Sequence, residues 1–456
     1  MRFLRGRTMS LRVLFQMMTV GAFTGLVKIA GAAKVIFTAR AFGMGDDLDA
    51  YLIAYLLPSF VCDILAGSLT SALVPTFIEV REKQGRQAAD RLYQSVLAIG
   101  VGLLAIASVV IALIAPWALH ALASSFNPAK LSLTCSLTWM MLPIMPLSAF
   151  IIAWRSVLNT EGRFALPAAL PAATPLATIA CLLAFRARCG VYSLAFGTVA
   201  GTILEAALLA VFVFRCGFPV LPRWWGRGAA FDQVLAQYGP VVAGVLLIGG
   251  APLIDQAIAA TLAPGSIAAL NYGTRFTIVM LAIGPTAVST AILPHFSRLT
   301  VLEDWTQIRH NLRTYGAIIL SVSIPVVVLL IAISTPLVRL FFERGQFNGA
   351  DTQVVASVQR FSLLQIPSSM VMALLLRLVS SMKANQLLLR AAAFGAVLNL
   401  ALDLALTRPM GISGIALSTA IVELASLLYV LRLVRTHLPA SFQAAPTAAA
   451  LEPGAQ

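Results

Sequence analysis

Charged residues are scarce in this chain. Asp, Glu, Lys and Arg make up 11% of its 456 residues, while 59% are hydrophobic and the mean hydropathy is +0.89. Soluble globular domains carry roughly 25% charged residues, so the composition excludes that class. The strands of membrane β-barrels alternate over about ten residues, whereas the apolar runs here, between residues 11 and 435, are continuous and longer. We therefore predict an all-α polytopic membrane protein.

The sequence also lacks the motifs of common catalytic and metal sites. Its five cysteines show no CxxC spacing, and its four histidines form no HExxH motif. Neither a GxSxG nucleophile motif nor a Walker A phosphate loop is present. We therefore expect no disulfide framework, no enzyme and no ATP-driven pump.

Basic residues outnumber acidic ones, 32 to 18, which gives a net charge of +14. They fall in short clusters between the apolar runs and not in one patch, so they indicate membrane topology and not a nucleic-acid-binding surface. The basic residues near the ends of the twelve predicted spans, which are given in the next paragraph, can be assigned to alternate sides of the membrane. On this count 21 lie on one side and six on the other. Because cytoplasmic loops carry the excess of Lys and Arg, both termini are predicted to be cytoplasmic.

Twelve apolar runs are separated by polar or by Gly- and Pro-rich turns, the pattern of transmembrane helices. Several exceed thirty residues, so we expect tilted or broken helices, with kinks at Gly31 and at prolines such as Pro58, Pro143 and Pro240. The predicted spans are 11–42, 49–79, 92–116, 131–157, 164–185, 191–215, 233–262, 266–297, 314–338, 353–379, 387–407 and 411–434.

The chain contains an internal repeat. The stretches Gly45–Phe77 and Gly265–Phe296 each begin at a short turn and end in an apolar segment with Pro two residues before the final Phe. They fall on spans 2 and 8, an offset of six spans, which predicts two parallel six-helix lobes around a central cavity, as in transporters that work by alternating access. The alternative is chance similarity between apolar helices. The predicted segments are an N-terminal lobe (1–216), a cytoplasmic linker (217–231), a C-terminal lobe (232–436) and a disordered tail (437–456).

Five basic residues lie within the predicted spans: Lys28, Lys34, Arg40, Arg275 and Arg360. A charge at this depth is costly and by default marks a substrate or ion path. The alternatives are that the lysines snorkel to an interface or neutralise buried carboxylates. On a continuous helix Lys28 and Lys34 lie about 120° apart, and a break at Gly31 would turn both inward. A cationic cavity selects an anionic substrate such as a phosphate or pyrophosphate.

A second group of polar residues predicts a cation site. Asn399 and Asp403 are spaced i, i+4 and share one helix face. Thr419, the backbone carbonyl of Ile415 and Asp255 could complete an all-oxygen shell for Na⁺. The alternative is a polar contact between the two helices, among Asn399, Asp403 and Thr419.

Several motifs, taken in order, resemble the MviN/MurJ family of the MOP flippase superfamily, the transporters of lipid-linked peptidoglycan precursor. The resemblance covers nearly the whole chain up to Arg435. The motifs are Val27–Gly31, Ala39–Gly43, Asp49–Tyr51, Ala72–Pro75, Leu158–Asn159, Gly162–Pro167, Tyr272–Arg275, Ile292–Pro294 and Phe342–Phe347.

The resemblance implies roles for individual residues. Lys28 and Lys34 stand where the family has essential cavity arginines, Asp49 matches an acidic position at the start of span 2, and Arg275 matches the arginine of span 8. We expect these four to bind the substrate. The resemblance also implies that Asp255, Asn399, Asp403, Ile415 and Thr419 form a sodium site.

We accordingly predict a flippase of the bacterial inner membrane. It would move a polyprenyl-diphosphate-linked saccharide, either lipid II or a related lipid-linked oligosaccharide, by alternating access. The predicted partners are this substrate, membrane lipids and proteins of cell-wall or polysaccharide synthesis. We expect a monomer that binds no nucleic acid and needs no cofactor except Na⁺. Three alternatives stay open: an exopolysaccharide repeat-unit flippase, a cation-coupled multidrug exporter, which would have an acidic cavity, and a non-transporting scaffold.

Overall fold

The computed structural model describes residues 2–282, 299, 302, 305–382 and 384–437. Over these residues every regular element is a helix, which confirms the predicted fold class. Eleven helices are long and apolar enough to cross a membrane, and they match eleven of the twelve predicted spans. The remaining predicted span, 266–297, is described only as far as residue 282. The end of the second repeat and tail residues 438–456 lie outside the described residues.

The chain divides into two compact units. The first comprises residues 1–268 and 341–348, and the second comprises residues 269–340 and 349–456. The helices before the boundary are α1 (Arg2–Phe42), α2 (Asp46–Gln84), α3 (Arg86–Leu122), α4 (Pro128–Met141), α5 (Ile144–Thr160), α6 (Ala165–Ala169), α7 (Ala173–Cys189), α8 (Tyr192–Arg215), α9 (Ala229–Gly249), α10 (Ala251–Ala260) and α11 (Ser266–Gly273), which crosses it. Those that follow are α12 (described over 275–282), α13 (Trp305–Ala332), α14 (Ser334–Phe342), α15 (Gly349–Leu363), α16 (Gln365–Ser381), α17 (Asn385–Met410) and α18 (Ile412–His437).

The core of the first unit is formed by α2, α3, α5, α8 and α9. Phe77 of α2, Tyr93 of α3 and Leu209 of α8 are almost completely buried there, and Phe231 of α9 belongs to the same cluster. The Tyr238 hydroxyl of α9 donates a hydrogen bond to the Leu65 carbonyl of α2 at 2.9 Å. The boundary between the two compact units lies after residue 268, later in the chain than the predicted lobe boundary at 217–231, because α9 packs along α2. The predicted lobes themselves stay a prediction.

Helices α7 and α8 approach each other closely because α8 presents glycines to α7. A Cβ added at Gly197 would lie 2.6 Å from Thr178 Cα, and one added at Gly201 would lie 2.5 Å from Thr174 Cα. The two glycines are spaced i, i+4, the small-residue pattern by which membrane helices bring their backbones together. Helix α1 also packs against α7.

The segment between α8 and α9 is extended and lies along α3. The Arg86 guanidinium donates to the Gly217 carbonyl at 2.7 Å, and the Trp225 indole donates to the Gln94 side chain at 2.8 Å. Arg91 stacks on the Trp225 ring at 5.0 Å. The segment before α9 ends three residues before the end of the predicted linker, because α9 begins at Ala229.

The second unit is built around a separate cluster. Leu374 and Leu378 of α16, Ile308 of α13 and Val430 of α18 are completely buried in it. Helices α17 and α18 form a tight antiparallel pair, since a Cβ added at Gly414 would lie 2.4 Å from the Leu406 carbonyl oxygen. This pair carries four of the five predicted cation ligands, Asn399, Asp403, Ile415 and Thr419.

Candidate functional site

Lys34 is held by a chain of hydrogen bonds within the first unit. Its ammonium group donates to the Tyr51 hydroxyl of α2 at 3.4 Å, and that hydroxyl is 2.9 Å from Thr198 Oγ1 of α8. Thr198 Oγ1 donates to the Leu194 carbonyl at 2.7 Å, so Tyr51 must donate to Thr198 and accept from Lys34. The half-buried ammonium is thereby fixed in position by one of its N–H groups, which leaves it able to pair with an anion.

Lys28 lies on a different face of α1 from Lys34. The predicted break at Gly31 is wrong, because α1 is continuous from Arg2 to Phe42. A Cβ added at Gly31 would have nothing within 4 Å, so no close contact requires glycine there. Lys28 is exposed, and both lysines lie inside the candidate span Met18–Phe42. The structure therefore does not turn the two lysines to one side of α1.

The end of α1 explains two of the family motifs. The Arg186 guanidinium of α7 donates to the Ala41 carbonyl, and the Gln346 N–H donates to the Arg40 carbonyl at 3.1 Å. The last carbonyls of a helix have no partner within the helix, so these contacts satisfy them. Gly345 has φ +68°, and a Cβ there would lie 2.3 Å from the Arg40 carbonyl oxygen. The motifs Ala39–Gly43 and Phe342–Phe347 thus meet, and glycine is required at their contact.

Asp49 is used inside the protein and does not line an open site. Its side chain is 2% exposed and accepts the backbone N–H groups of Gly265 at 2.7 Å and Ala268 at 2.9 Å. The Lys130 ammonium of α4 lies 3.3 Å from the same carboxylate. Asp49 therefore caps the N-terminus of α11, where a negative charge is favourable. Its predicted contact with substrate is corrected to a structural role.

Arg275 belongs to the second unit, at the start of α12. Its guanidinium donates to the Asn271 side chain of α11 at 2.7 Å, one turn earlier. Gly273 lets α11 pack against α15, since a Cβ there would lie 2.6 Å from Val358 Cγ1. The motif Tyr272–Arg275 thus combines a close helix contact with a half-buried arginine. The predicted partnership of Arg275 with the two lysines stays a prediction.

Four of the five predicted cation ligands lie on the pair α17 and α18. Asn399 and Asp403 are 2% and 0% exposed. Asn399 Oδ1 is buried and accepts no hydrogen bond from the described residues, which suits a position next to a cation. The Ile415 carbonyl accepts a hydrogen bond from Thr419 Oγ1 at 3.0 Å, so these two oxygens are close together.

The fifth predicted ligand, Asp255, lies on α10 in the first unit. Among the described residues no group of three or more His, Cys, Asp or Glu could hold a metal ion. The donors on α17 and α18 are instead an amide, a carbonyl, a hydroxyl and one carboxylate. Oxygen donors of this kind suit a hard cation such as Na⁺ better than a transition metal.

One ion pair within the spans was missed from the sequence. Arg155 of α5 pairs with Glu205 of α8, whose side chain is 7% exposed. Thr174 of α7 donates to the other oxygen of Glu205 at 3.4 Å. The count of loop charges placed Arg155 at a span end, whereas it lies inside α5. Glu205 follows Gly197 and Gly201 at a spacing of four residues, so it lies on the face of α8 that packs against α7. This spacing is the one signal in the sequence that Glu205 is buried between helices.

The helices that are long and apolar enough to cross a membrane define a multi-pass membrane protein, and solved structures share its fold. The lipid II flippase MurJ in an inward closed conformation superposes with a TM-score of 0.79 at 22% identity, covering 93% of this chain and 88% of that one. An inward-facing multidrug resistance MATE family transporter of the MOP superfamily gives 0.74 at 13% identity, covering 93% and 98%. At these identities the likeness establishes the fold alone.

The chain belongs to the lipid II flippase MurJ family, whose model matches residues 38–450. The lipid II flippase MurJ of Burkholderia cenocepacia is 27% identical over 349 residues, which cover 75% of this chain and 68% of that protein. The lipid II flippase MurJ of Thermosipho africanus is 25% identical over 431 residues, which cover 93% and 86%. The predicted family is confirmed, and the protein is a multi-pass membrane protein.

Proposed function

We propose that this protein translocates lipid II, a polyprenyl-diphosphate-linked saccharide, across the bacterial inner membrane. The observation that carries the proposal is the family match over residues 38–450. It is supported by relatives described as lipid II flippases, in Burkholderia cenocepacia and Thermosipho africanus. The substrate would cross the membrane chemically unchanged, so the proposal includes no catalytic step.

The lysines of α1 would bind the diphosphate. Lys34 is fixed by Tyr51 at 3.4 Å, and Lys28 is exposed within the same span. Charge-assisted contacts to phosphate oxygens are roughly twice as strong as neutral hydrogen bonds. Arg275 would contribute from the second unit, and the lipid tail would stay in the bilayer. The two lobes would then alternate between inward and outward access.

Inward Na⁺ or the membrane potential would drive the movement. Na⁺ would bind Asn399, Asp403, Thr419 and the Ile415 carbonyl, with Asp255 as the fifth ligand. The potential contributes about 2.3 kcal/mol per charge for each 100 mV. With both termini in the cytoplasm, as the Lys and Arg bias predicts, the head group would move outward.

The direct test is transport by the purified protein in proteoliposomes. Three probes are compared: lipid II, a polyprenyl-diphosphate-linked oligosaccharide without peptidoglycan sugars, and a lipophilic cationic dye. The proposal predicts movement of lipid II. Transport of the other saccharide alone would identify an exopolysaccharide flippase, transport of the dye alone would identify a multidrug exporter, and no transport would leave a scaffold. Each of these three results would overturn the proposal.

A further inference from the structure

A groove of about 700 Å³ opens on the second unit between α13, α16 and α18. Its volume lies within the roughly 300–1,000 Å³ of pockets that hold small molecules. It involves none of the proposed substrate or sodium ligands. Its lining divides into a basic end and an apolar body.

Three arginines form the basic end. Arg309 and Arg313 are spaced i, i+4 on α13 and so share a face, and Arg435 lies in the last turn of α18. None of the described side chains that line the groove is acidic. All three arginines belong to the group of 21 basic residues that predicts the cytoplasmic side. This end therefore attracts an anion at the level of the lipid head groups.

The apolar body of the groove follows from α13. Gly316 and Leu320 continue the face that begins at Arg309, and Leu375 of α16 and Leu431 of α18 line the other sides. The distance along α13 from Arg309 to Leu320 is about 16 Å at 1.5 Å per residue. The predicted span begins at residue 314, so about 9 Å of this distance lies within the hydrocarbon, which is about 30 Å thick. The groove thus extends from the head groups partway into one leaflet.

Gly316 leaves room for a chain in the middle of the groove. A Cβ added there would meet nothing within 4 Å. Ala317 beside it is exposed and also lines the groove. A cationic mouth above an apolar channel is complementary to a phosphate that carries acyl chains.

We propose that this groove binds an anionic glycerophospholipid, with its phosphate at Arg309, Arg313 and Arg435 and an acyl chain beside Gly316 and Leu320. A free phosphate would use the arginines alone and leave the apolar body without a role. The site is independent of the proposed flippase function, since it shares no residue with it.

The test measures binding of fluorescent phosphatidylglycerol and phosphatidylcholine to the purified protein in a neutral detergent. Phosphatidylglycerol should bind more tightly, and unlabelled phosphatidylglycerol, but not inorganic phosphate, should displace it. Arg313→Gln and Arg435→Gln should each weaken phosphatidylglycerol binding about fivefold, as expected for loss of one basic contact at an anionic membrane surface. Both side chains are exposed, so the variants should fold, and equal thermal unfolding temperatures would verify this.

Two further variants separate charge from shape. Arg432→Gln is the matched control, because Arg432 is exposed on α18 but does not line the groove, and it should bind like the wild type. Ala317→Trp fills the apolar body without a change of charge and should weaken both lipids. Equal affinity for the two lipids, displacement by inorganic phosphate, an Arg432→Gln effect as large as that of Arg313→Gln, or unchanged binding in Ala317→Trp would each overturn the proposal.

Discussion

The carboxylate of Asp49 accepts the backbone N–H of Gly265 at 2.7 Å, across 216 residues of chain. Asp49 lies in the first turn of α2, and Gly265 immediately precedes α11. In the predicted repeat, the turn at Gly45 and the turn at Gly265 occupy equivalent positions. One copy of the repeat therefore supplies the N-terminal cap of the other.

Asp49→Ala is expected to destabilise the protein more than removal of a surface carboxylate. The variant leaves Lys130, which is 9% exposed, without one of its two carboxylate partners, and it leaves two N–H groups uncapped. Breaking one side of a buried pair costs about 3–5 kcal/mol. Thermal unfolding in detergent should show a clear fall in Tm. Asp47→Ala is the matched control, since Asp47 is exposed in the same turn, and equal Tm values for the two variants would contradict the capping role.

Gly201→Ala should loosen the pair α7 and α8. The added methyl group would lie 2.5 Å from Thr174 Cα, a backbone atom that cannot rotate away. Overpacking of this kind costs about 1–3 kcal/mol. Gly102→Ala on α3 is the control, because nothing lies within 4 Å of a Cβ there. Thermal unfolding should show a lower Tm for Gly201→Ala only. A fall of the same size in both variants would contradict the packing role of Gly201, because Ala alone favours the helix over Gly.

Arg155 and Glu205 should behave as a coupled pair. Arg155→Met leaves the Glu205 carboxylate, which is 7% exposed, without its ionic partner, and we expect a loss of about 3 kcal/mol in stability. The double variant Arg155→Met/Glu205→Met removes both charges and should recover most of that loss. Arg188→Met, at the exposed end of α7, should have little effect. Additive losses in the double-mutant cycle would show that the two side chains do not interact.

The sequence predicted the spans well but not the contacts between them. A long apolar run predicts a transmembrane helix from local sequence alone, because a helix must be about twenty residues long to cross a bilayer. The partner of Asp49 lies 216 residues away, and no local pattern carries that information. Arg155 was counted among the basic residues at span ends, and such a count cannot detect a carboxylate on another helix. The expected break at Gly31 failed for a similar reason, since glycine permits a kink but only a neighbour or a lost hydrogen bond imposes one.

The proposed sodium site makes thermal stability depend on the cation. A bound ligand raises stability by about 2.7 kcal/mol at a hundredfold excess over Kd, so NaCl should raise the Tm of the wild type more than KCl does. Asn399→Ala and Asp403→Asn should abolish the difference. Ser426→Ala on α18 is the control, because its hydroxyl faces Gly395 of α17 outside the proposed ligand set. If Asp403→Asn kept the full sodium effect, the site would lie elsewhere.

The central claim is that the Lys34 ammonium of α1, held by Tyr51, binds the diphosphate of lipid II. The most direct measurement is the rate of lipid II translocation in proteoliposomes by Lys34→Met and Lys34→Arg. Lys34→Met should lower the rate about tenfold or more, since hydrogen bonds to charged groups contribute roughly 1.5–3 kcal/mol, whereas Lys34→Arg should retain most of it. Lys83→Met, which removes an exposed lysine at the end of α2, should translocate like the wild type. An unchanged rate in Lys34→Met would contradict the claim.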